Sequence, residues 1–289
     1  MQKAALVLGV ANQKSIAWAC VQSLLQREFD HVFFTYQNER FKKSVEGMTH
    51  QLNSLNETNG AMKSVSHYAC DVSNEDEIKR LLEEQIPEYL HTLKDRKIKL
   101  DAVIHSIAYA PTDAMKSGSD CFPLLNTSRE AYDTSHQISA YSLVSVARHA
   151  LPLLSSSSTD NHNELQQERY PSITALTYLG SSRAVRNYNV MGPAKASLEA
   201  TVRGLALEIS SPPHRIRVNA VSAGPVNTLA ARGIKDFNEM RKEAESKSLL
   251  KRSVTSAEVG NTVAFLAGPN ASGITGQIIF CDGGYVSVG

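Results

Sequence analysis

Ile173-Thr-Ala-Leu-Thr-Tyr178-Leu-Gly-Ser-Ser-Arg-Ala-Val-Arg-Asn-Tyr188-Asn-Val-Met-Gly-Pro-Ala-Lys195 is the stretch that decides the fold. Its first five residues are an apolar run of strand type. Ala196 to Ile209, just beyond it, has the spacing of a helix. Strand, polar loop and helix in that order make half of a parallel crossover unit. Tyr188 and Lys195 lie seven positions apart. Two helical turns take about 7.2 residues, so one continuous helix would carry both side chains on one face, roughly 10 Å apart along the axis. A lysine ammonium beside a tyrosine makes the phenol a better acid. Taken alone, the pair also fits a buried tyrosine and a surface lysine on an amphipathic helix.

Further apolar runs of strand length occur at Ala4–Gly9, His31–Tyr36, Ser64–Ala69, Leu100–Ile107, Arg215–Ser222 and Ile278–Cys281. Between them the spacing predicts helices over Ser15–Arg27, Glu39–Leu55, Glu75–Leu93, Arg129–Leu154 and Ala257–Ala267, the third broken or kinked near Pro87. Strands apolar on both faces and alternating with helices predict a single doubly wound parallel sheet of about seven strands, of Rossmann type, helices on both faces. Residues 1–289 are expected to form one domain. Ser155 to Pro171 is polar, lacks periodicity and reads as an exposed insertion. Thr228 to Leu250 reads as a helical segment mixing Leu229, Ile234, Phe237 and Met240 with Lys and Arg. It is either a flap over a ligand, with Gly224 and Gly233 as hinges, or a plain surface helix.

Of 289 residues, 42% are hydrophobic and 20% charged, an ordinary globular composition. A net charge of +1, with no basic stripe, gives no pull toward nucleic acid. No apolar run reaches the roughly 18 residues of a membrane helix. Cys20, Cys70, Cys121 and Cys281 have no zinc or redox spacing and read as free buried thiols in a reducing compartment. No metal site is expected.

In a doubly wound sheet, ligands bind beyond the carboxyl ends of the strands. Gly9 there permits a tight turn, and a helix starting at Ser15-Ile16 offers free N–H groups to a phosphate. The G-x-G-x-x-G spacing is absent, and a simple helix cap at Ser15 is the alternative. Gln37, after the second strand, can hydrogen-bond an adenosine ribose; Arg40 nearby keeps NADPH open beside NADH. Asp71, with Val72, can accept from an adenine amino group or cap the next helix.

Together these residues carry a resemblance. Gly9-Val-Ala-x3-Ser-Ile-Ala-Trp, Thr35-Tyr-Gln-Asn, Asp71-Val72, His105-Ser-Ile-Ala-Tyr-Ala-Pro111, Tyr178-Leu-Gly, Asn187-Tyr-Asn-Val-Met-Gly-x-Ala-Lys-Ala-Ser-Leu-Glu-Ala200 and Arg217-Val-Asn-Ala-Val-Ser-Ala-Gly-Pro-Val-x-Thr-Leu-Ala-Ala231 closely resemble the enoyl-acyl carrier protein reductases. That family is a divergent branch of the short-chain dehydrogenase/reductases. The resemblance implies an oxidoreductase of fatty acid biosynthesis that uses NADH or NADPH to saturate trans-2-enoyl thioesters. It implies Tyr188 and Lys195 as catalytic residues and Tyr178 as a second active-site tyrosine. It implies dinucleotide contacts at Gly9, Ser15, Ile16, Gln37, Asp71, Val72, Ile107, Lys195, Val226, Asn227, Thr228, Leu229 and Ala230. Ala110 stands where the family touches the acyl chain. A homotetramer is implied, as is a cytoplasmic setting in a bacterium or an organelle matrix after removal of a presequence.

Ordinary short-chain dehydrogenases have Tyr-x3-Lys and a serine thirteen residues before the tyrosine. Here the spacing is Tyr-x6-Lys and the upstream position is Ala175. A ketone or alcohol enzyme of the same fold, the main alternative, would lack that donor. A regulator that has lost catalysis would be expected to lack Tyr188 or Lys195. After Gly233-Ile-Lys-Asp-Phe237, where family members often place basic residues for the carrier protein, this chain has Asn238-Glu239, with Lys235, Arg241 and Lys242 nearby. The thioester carrier is therefore open between carrier protein and coenzyme A. In the implied reaction Tyr188, or a ribose hydroxyl beside it, stabilises the forming enolate, and Lys195 holds the ribose of the nicotinamide.

Overall fold

The computed structural model describes residues 2–58, 63–93, 98–115, 124–155, 169, 171–229 and 231–288. Seven parallel strands form one sheet: β1 (Lys3–Leu8), β2 (His31–Tyr36), β3 (Ser64–Ala69), β4 (Lys99–His105), β5 (Ser172–Thr177), β6 (Arg217–Ala223) and β7 (Ile278–Cys281). Their order is β3-β2-β1-β4-β5-β6-β7. The chain winds outward one way from β1 to β3 and the other way from β4 to β7. The crevice where that direction reverses lies between β1 and β4, whose register runs from Lys3 opposite Lys99 to Leu8 opposite His105. Such a crevice is the ligand site of this sheet type.

Successive side chains of a strand point to opposite faces, and β1 shows the consequence. Ala5 and Val7 join a core with Trp18 and Leu24 of α1 (Ile16–Gln26), Val45 of α2 (Glu39–Thr58) and Val259 of α9 (Ser256–Ala267). Ala4, Leu6 and Leu8 join the opposite core. That core holds Ile78 of α3 (Glu75–Lys79), Ile86 of α4 (Ile86–Thr92), Leu143 of α6 (Ser142–Leu154) and Leu198 of α7 (Met191–Ile209). A strand buried on both sides has no polar face to show, hence the continuous apolar runs.

Two expected helices contain a wider turn. α3 and α4 are joined by a π-helical stretch, Arg80–Gln85, with Pro87 in the first turn after it. α5 (Arg129–His136) passes through another, Gln137–Tyr141, into α6. π-turns of this kind often mark functional places, and the second borders the cavity described below. The expected helical segment at Thr228 to Leu250 is a short 3-10 turn, Ala231–Gly233, followed by α8 (Phe237–Lys247). Of the expected Ser155 to Pro171 insertion, only residues 155, 169 and 171 lie within the described residues. Cys20 and Cys70 are buried free thiols and Cys281 is half-buried; Cys121 lies outside the described residues. No helix among the described residues is long and apolar enough to cross a membrane.

Candidate active site

A cavity of about 340 Å³ opens at the carboxyl ends of β1, β4, β5 and β6. That is within the usual range for a small-molecule site. Its floor begins at Gly9, whose φ is +96°. A Cβ there would overlap Ser106 O and lie 2.9 Å from Ile107 Cδ1. Only glycine allows the chain to turn this close to β4. The loop that follows is tied down locally. Val10 N donates to Thr35 O at 2.8 Å, and Ser15 Oγ donates to Asn12 O at 2.7 Å. Ser15 caps α1 by accepting from Trp18 N at 3.3 Å. Cap and candidate phosphate seat are thus the same residue, because Ser15 and Ile16 also line the cavity.

At the far end Gln37 Nε2 donates to Asp71 Oδ2 at 3.0 Å. Burial pushes the Asp71 carboxyl up. Hydrogen bonds from the Ser73 N–H and hydroxyl and from Gln37 outweigh it, so the acid sits below its ordinary value. Asp71 is therefore an ionised acceptor. It does not cap the following helix; Asn74 does, accepting from Asp76 N.

The chemistry-bearing residues gather at the other end. Lys195 is 3% exposed; its Nζ donates to Leu176 O at 2.8 Å and Ile107 O at 3.1 Å. An ammonium has three protons. Two carbonyls take two, and the side chain borders the cavity. Burial pulls the Lys195 pKa down to about 8, opposed by the Glu199 carboxylate. Tyr188 is 7% exposed and packs edge-on against Tyr178, ring centres 4.8 Å apart. Gly180 makes room for it: a Cβ there would overlap Tyr188 Cδ1 and lie 2.7 Å from Cε1. Tyr178 Oη lies 3.7 Å from Met240 Sδ of α8. Burial first, then the Tyr285 and Glu243 charges, push the Tyr178 phenol up to about 12.

Two expectations about this pair change. Tyr188 is not on the helix. α7 begins at Met191, and Tyr188 lies in a turn flanked by Asn187 (φ 62°) and Asn189 (φ 42°). Asparagine tolerates left-handed backbone, and Pro193 fits only the first helical turn, so the motif itself delays the helix. Nor is the Tyr188 phenol made more acidic. Burial raises its pKa, with the Tyr178 and Glu199 charges adding to the rise. Tyr188 keeps its proton and is a hydrogen-bond donor.

Gly9, Ser15, Ile16, Gln37, Asp71, Val72, Ile107, Tyr178, Tyr188, Lys195, Val226, Thr228 and Leu229 all line this one cavity. Asn227 does not line it; its Oδ1 accepts from Arg232 Nε at 3.4 Å. Ala230 lies outside the described residues. Ala110 packs with Ala114, Ala131 and Val190 behind the wall, where Tyr109 takes the lining position. Ile234, Phe237 and Met240 close the cavity from α8 and the turn before it. Asn187 Nδ2 holds that segment through Lys235 O at 3.0 Å. Gly224, expected as a hinge, is a close-packing position: a Cβ there would lie 3.1 Å from Val254 Cγ2.

Sequence reading missed Ile138, on the π-turn, and its support. Ser142 Oγ donates to Ile138 O at 2.7 Å and meets His105 Nε2 at 2.7 Å. Ser139 Oγ accepts from Tyr109 N at 2.9 Å and donates to Tyr109 O at 3.0 Å. Nothing in hydropathy marks a π-turn, but Ser135, Ser139, Ser142 and Ser145, three or four apart over residues 129–154, are a signal: they share one helical face and all are buried. Among the described residues no cluster of His, Cys, Asp and Glu could hold a metal.

Comparison with known proteins identifies the family. A family model described as Enoyl-(Acyl carrier protein) reductase matches residues 9–286. The chain belongs to that family. The NADH enoyl-acyl-carrier-protein reductase of Bacillus cereus is 39% identical over 287 residues, covering 99% of this chain and 98% of the relative. The NADPH enzyme of Staphylococcus aureus is 38% identical over 286 residues, covering 99% and 97%. Among solved structures, the Bacillus cereus reductase with NADP+ and indole naphthyridinone matches with a TM-score of 0.81 at 38% identity, each chain covered in full (100%). The Anaplasma phagocytophilum reductase with NAD matches with a TM-score of 0.80 at 30% identity, covering 99% of this chain and 93% of that one.

Proposed function

We propose that this enoyl-acyl carrier protein reductase reduces the trans-2 double bond of enoyl thioesters with NADH or NADPH, in the elongation cycle of fatty acid biosynthesis. The observation that carries the reading is the convergence of Tyr178, Tyr188 and Lys195 on one largely apolar cavity at the crevice of the sheet. Residues present fit a dinucleotide. Gly9 clears the approach, the start of α1 offers N–H groups to the phosphates, and ionised Asp71 with Gln37 suits adenosine. Lys195 has a proton left for the ribose hydroxyls beside the nicotinamide. When bound, the reduced nicotinamide supplies a hydride to the β-carbon of the substrate.

The chain's own residues do the rest. Negative charge develops on the thioester oxygen as the enolate forms. Tyr188, holding its proton at neutral pH, donates a hydrogen bond to that oxygen; such a donor is worth about 2.7–4 kcal/mol of barrier. The Lys195 ammonium orients the ribose and its charge favours the enolate. Tyr178 packs on the thioester, and Ile234, Phe237 and Met240 lie along the acyl chain as a flap over 228–250 that excludes water. Ala175 is fully buried in the core, so no hydroxyl stands where a ketone reductase needs one.

The whole chain would act as one dinucleotide-binding unit. The thioester is carried by acyl carrier protein or coenzyme A, with Lys235, Arg241 and Lys242 on the flap favouring an acidic carrier. A homotetramer is supported by Tyr132 and Tyr141 along the long helix and Leu207 on α7, all exposed. Free thiols at Cys20 and Cys70 suit a reducing compartment, cytoplasm or organelle matrix. The test is the rate of NADH and NADPH oxidation with crotonyl thioester against acetoacetyl thioester. The reading expects the crotonyl compound to be reduced and the acetoacetyl compound to be inert. Oxidation driven only by the acetoacetyl compound would refute it.

A further inference from the structure

Glu199 stands one helical turn beyond Lys195 on α7, so the two share a face. It does not border the cavity. Its Oε1 accepts from Thr177 Oγ1 at 2.7 Å. Thr177 is the last residue of β5, is 4% exposed and lines the cavity. Leu176, the residue before it, gives its carbonyl to Lys195. The end of β5 therefore grips the ammonium with one residue and the carboxylate with the next.

A buried ammonium held by two neutral carbonyls is short of counter-charge. The groups around Lys195 supply little else. From β4 comes His105, whose burial drives its pKa down to about 3 and which feels Lys195 as a like charge. The loop after β5 brings Tyr178 and Tyr188, both held protonated. Leu176 and Thr177 are uncharged. Glu199 is the charged group that resists the fall burial imposes on Lys195.

We propose that Glu199 is a positioning residue for the reaction: clamped by Thr177, it keeps the buried Lys195 ammonium charged and aimed at the dinucleotide ribose. It touches neither cofactor nor substrate. The inference rests on the role given to Lys195 above.

Glu199→Gln separates charge from packing, because the amide oxygen still accepts from Thr177 while the charge is gone. NADH affinity is measured by fluorescence titration of the full chain from about pH 6.5 to about pH 9.5, a window spanning the lysine's titration. Wild-type affinity is expected to fall as pH rises through about 8. The Gln variant is expected to approach wild type at the acid end, bind roughly threefold or more weakly near pH 8, and show its midpoint at lower pH. Glu199→Asp, which restores the charge, should return the midpoint toward wild type. Superimposable Gln and wild-type curves would overturn the proposal, and so would a loss equal at every pH, the mark of a merely structural role. Should the Gln variant not fold, Thr177→Val, which frees the carboxylate, gives a smaller shift in the same direction; no shift there overturns the proposal equally. A wild-type affinity that ignores pH above 8 would instead remove the Lys195 role itself and this inference with it.

Discussion

Gly180→Ala adds one methyl group at the place where Tyr188 needs none. The new Cβ would overlap Tyr188 Cδ1 and sit 2.7 Å from Cε1. Carbon atoms rest about 3.5–4.0 Å apart, so the ring must retreat by roughly 1 Å. A displacement of that size at a reacting centre lowers turnover about 10²-fold, near 2.7 kcal/mol of barrier. The backbone does not absorb the blame, since Gly180 is not among the positive-φ residues. Overpacking costs about 1–3 kcal/mol of stability, which a domain stable by about 5–15 kcal/mol survives. Lys195 is held by Ile107 O and Leu176 O, whereas the three atoms nearest the added Cβ all belong to the Tyr188 ring. NADH affinity should therefore stay within about threefold of wild type while kcat drops about a hundredfold. The assay is the fall in reduced-cofactor absorbance with crotonyl thioester, paired with a fluorescence titration of NADH. A variant that turns over within about threefold of wild type would refute the claim that Tyr188's position governs the rate.

Tyr188→Phe removes the donor and keeps the ring; kcat should fall about 10²–10³-fold with NADH binding intact, as read by the same two assays. Lys195 also leaves a mark on stability. Unfolded, its amine holds a proton up to about 10.5; folded, only up to about 8. Between those values unfolding takes up a proton, so raising the pH favours the folded state. Relative to Lys195→Met, cofactor-free protein should gain up to roughly 3 kcal/mol across that window and lose it again as pH falls through about 8, measured by urea unfolding. Phe33 is fully buried in the core below β2; Phe33→Ala should cost about 3–5 kcal/mol in the same experiment and leave the KM of surviving folded enzyme unchanged.

Much of this molecule could be read from hydropathy because the central strands β1, β2, β4, β5 and β6 are buried on both faces almost throughout. His31–Tyr36, Ser64–Ala69 and Ile278–Cys281 fall where the apolar runs end, and the other strands shift by two residues or fewer. Cavity residues were legible where a strand end meets a glycine, a cap or a polar exception, as at Gly9, Ser15, Gln37 and Asp71; Thr228 came from the family resemblance alone. Tyr188 was misplaced because periodicity treats residues 188 to 195 as one helix. Asn187 and Asn189 in left-handed conformation break it, a choice that side-chain spacing alone does not reveal. Its acidity was misjudged for a related reason. A sequence shows that a lysine is near; it does not show that burial raises the phenol and lowers the amine. Ile138 and Glu199 escaped notice because their roles depend on a π-turn and on Thr177 at the end of a different element.

The most direct test uses NADH carrying deuterium at the transferred position and a trans-2-enoyl thioester, with the product acyl chain examined by NMR. The account predicts one deuterium at the β-carbon of a saturated thioester, with a solvent-derived proton at the α-carbon. Deuterium at a carbinol carbon, or a double bond left in place, would contradict it.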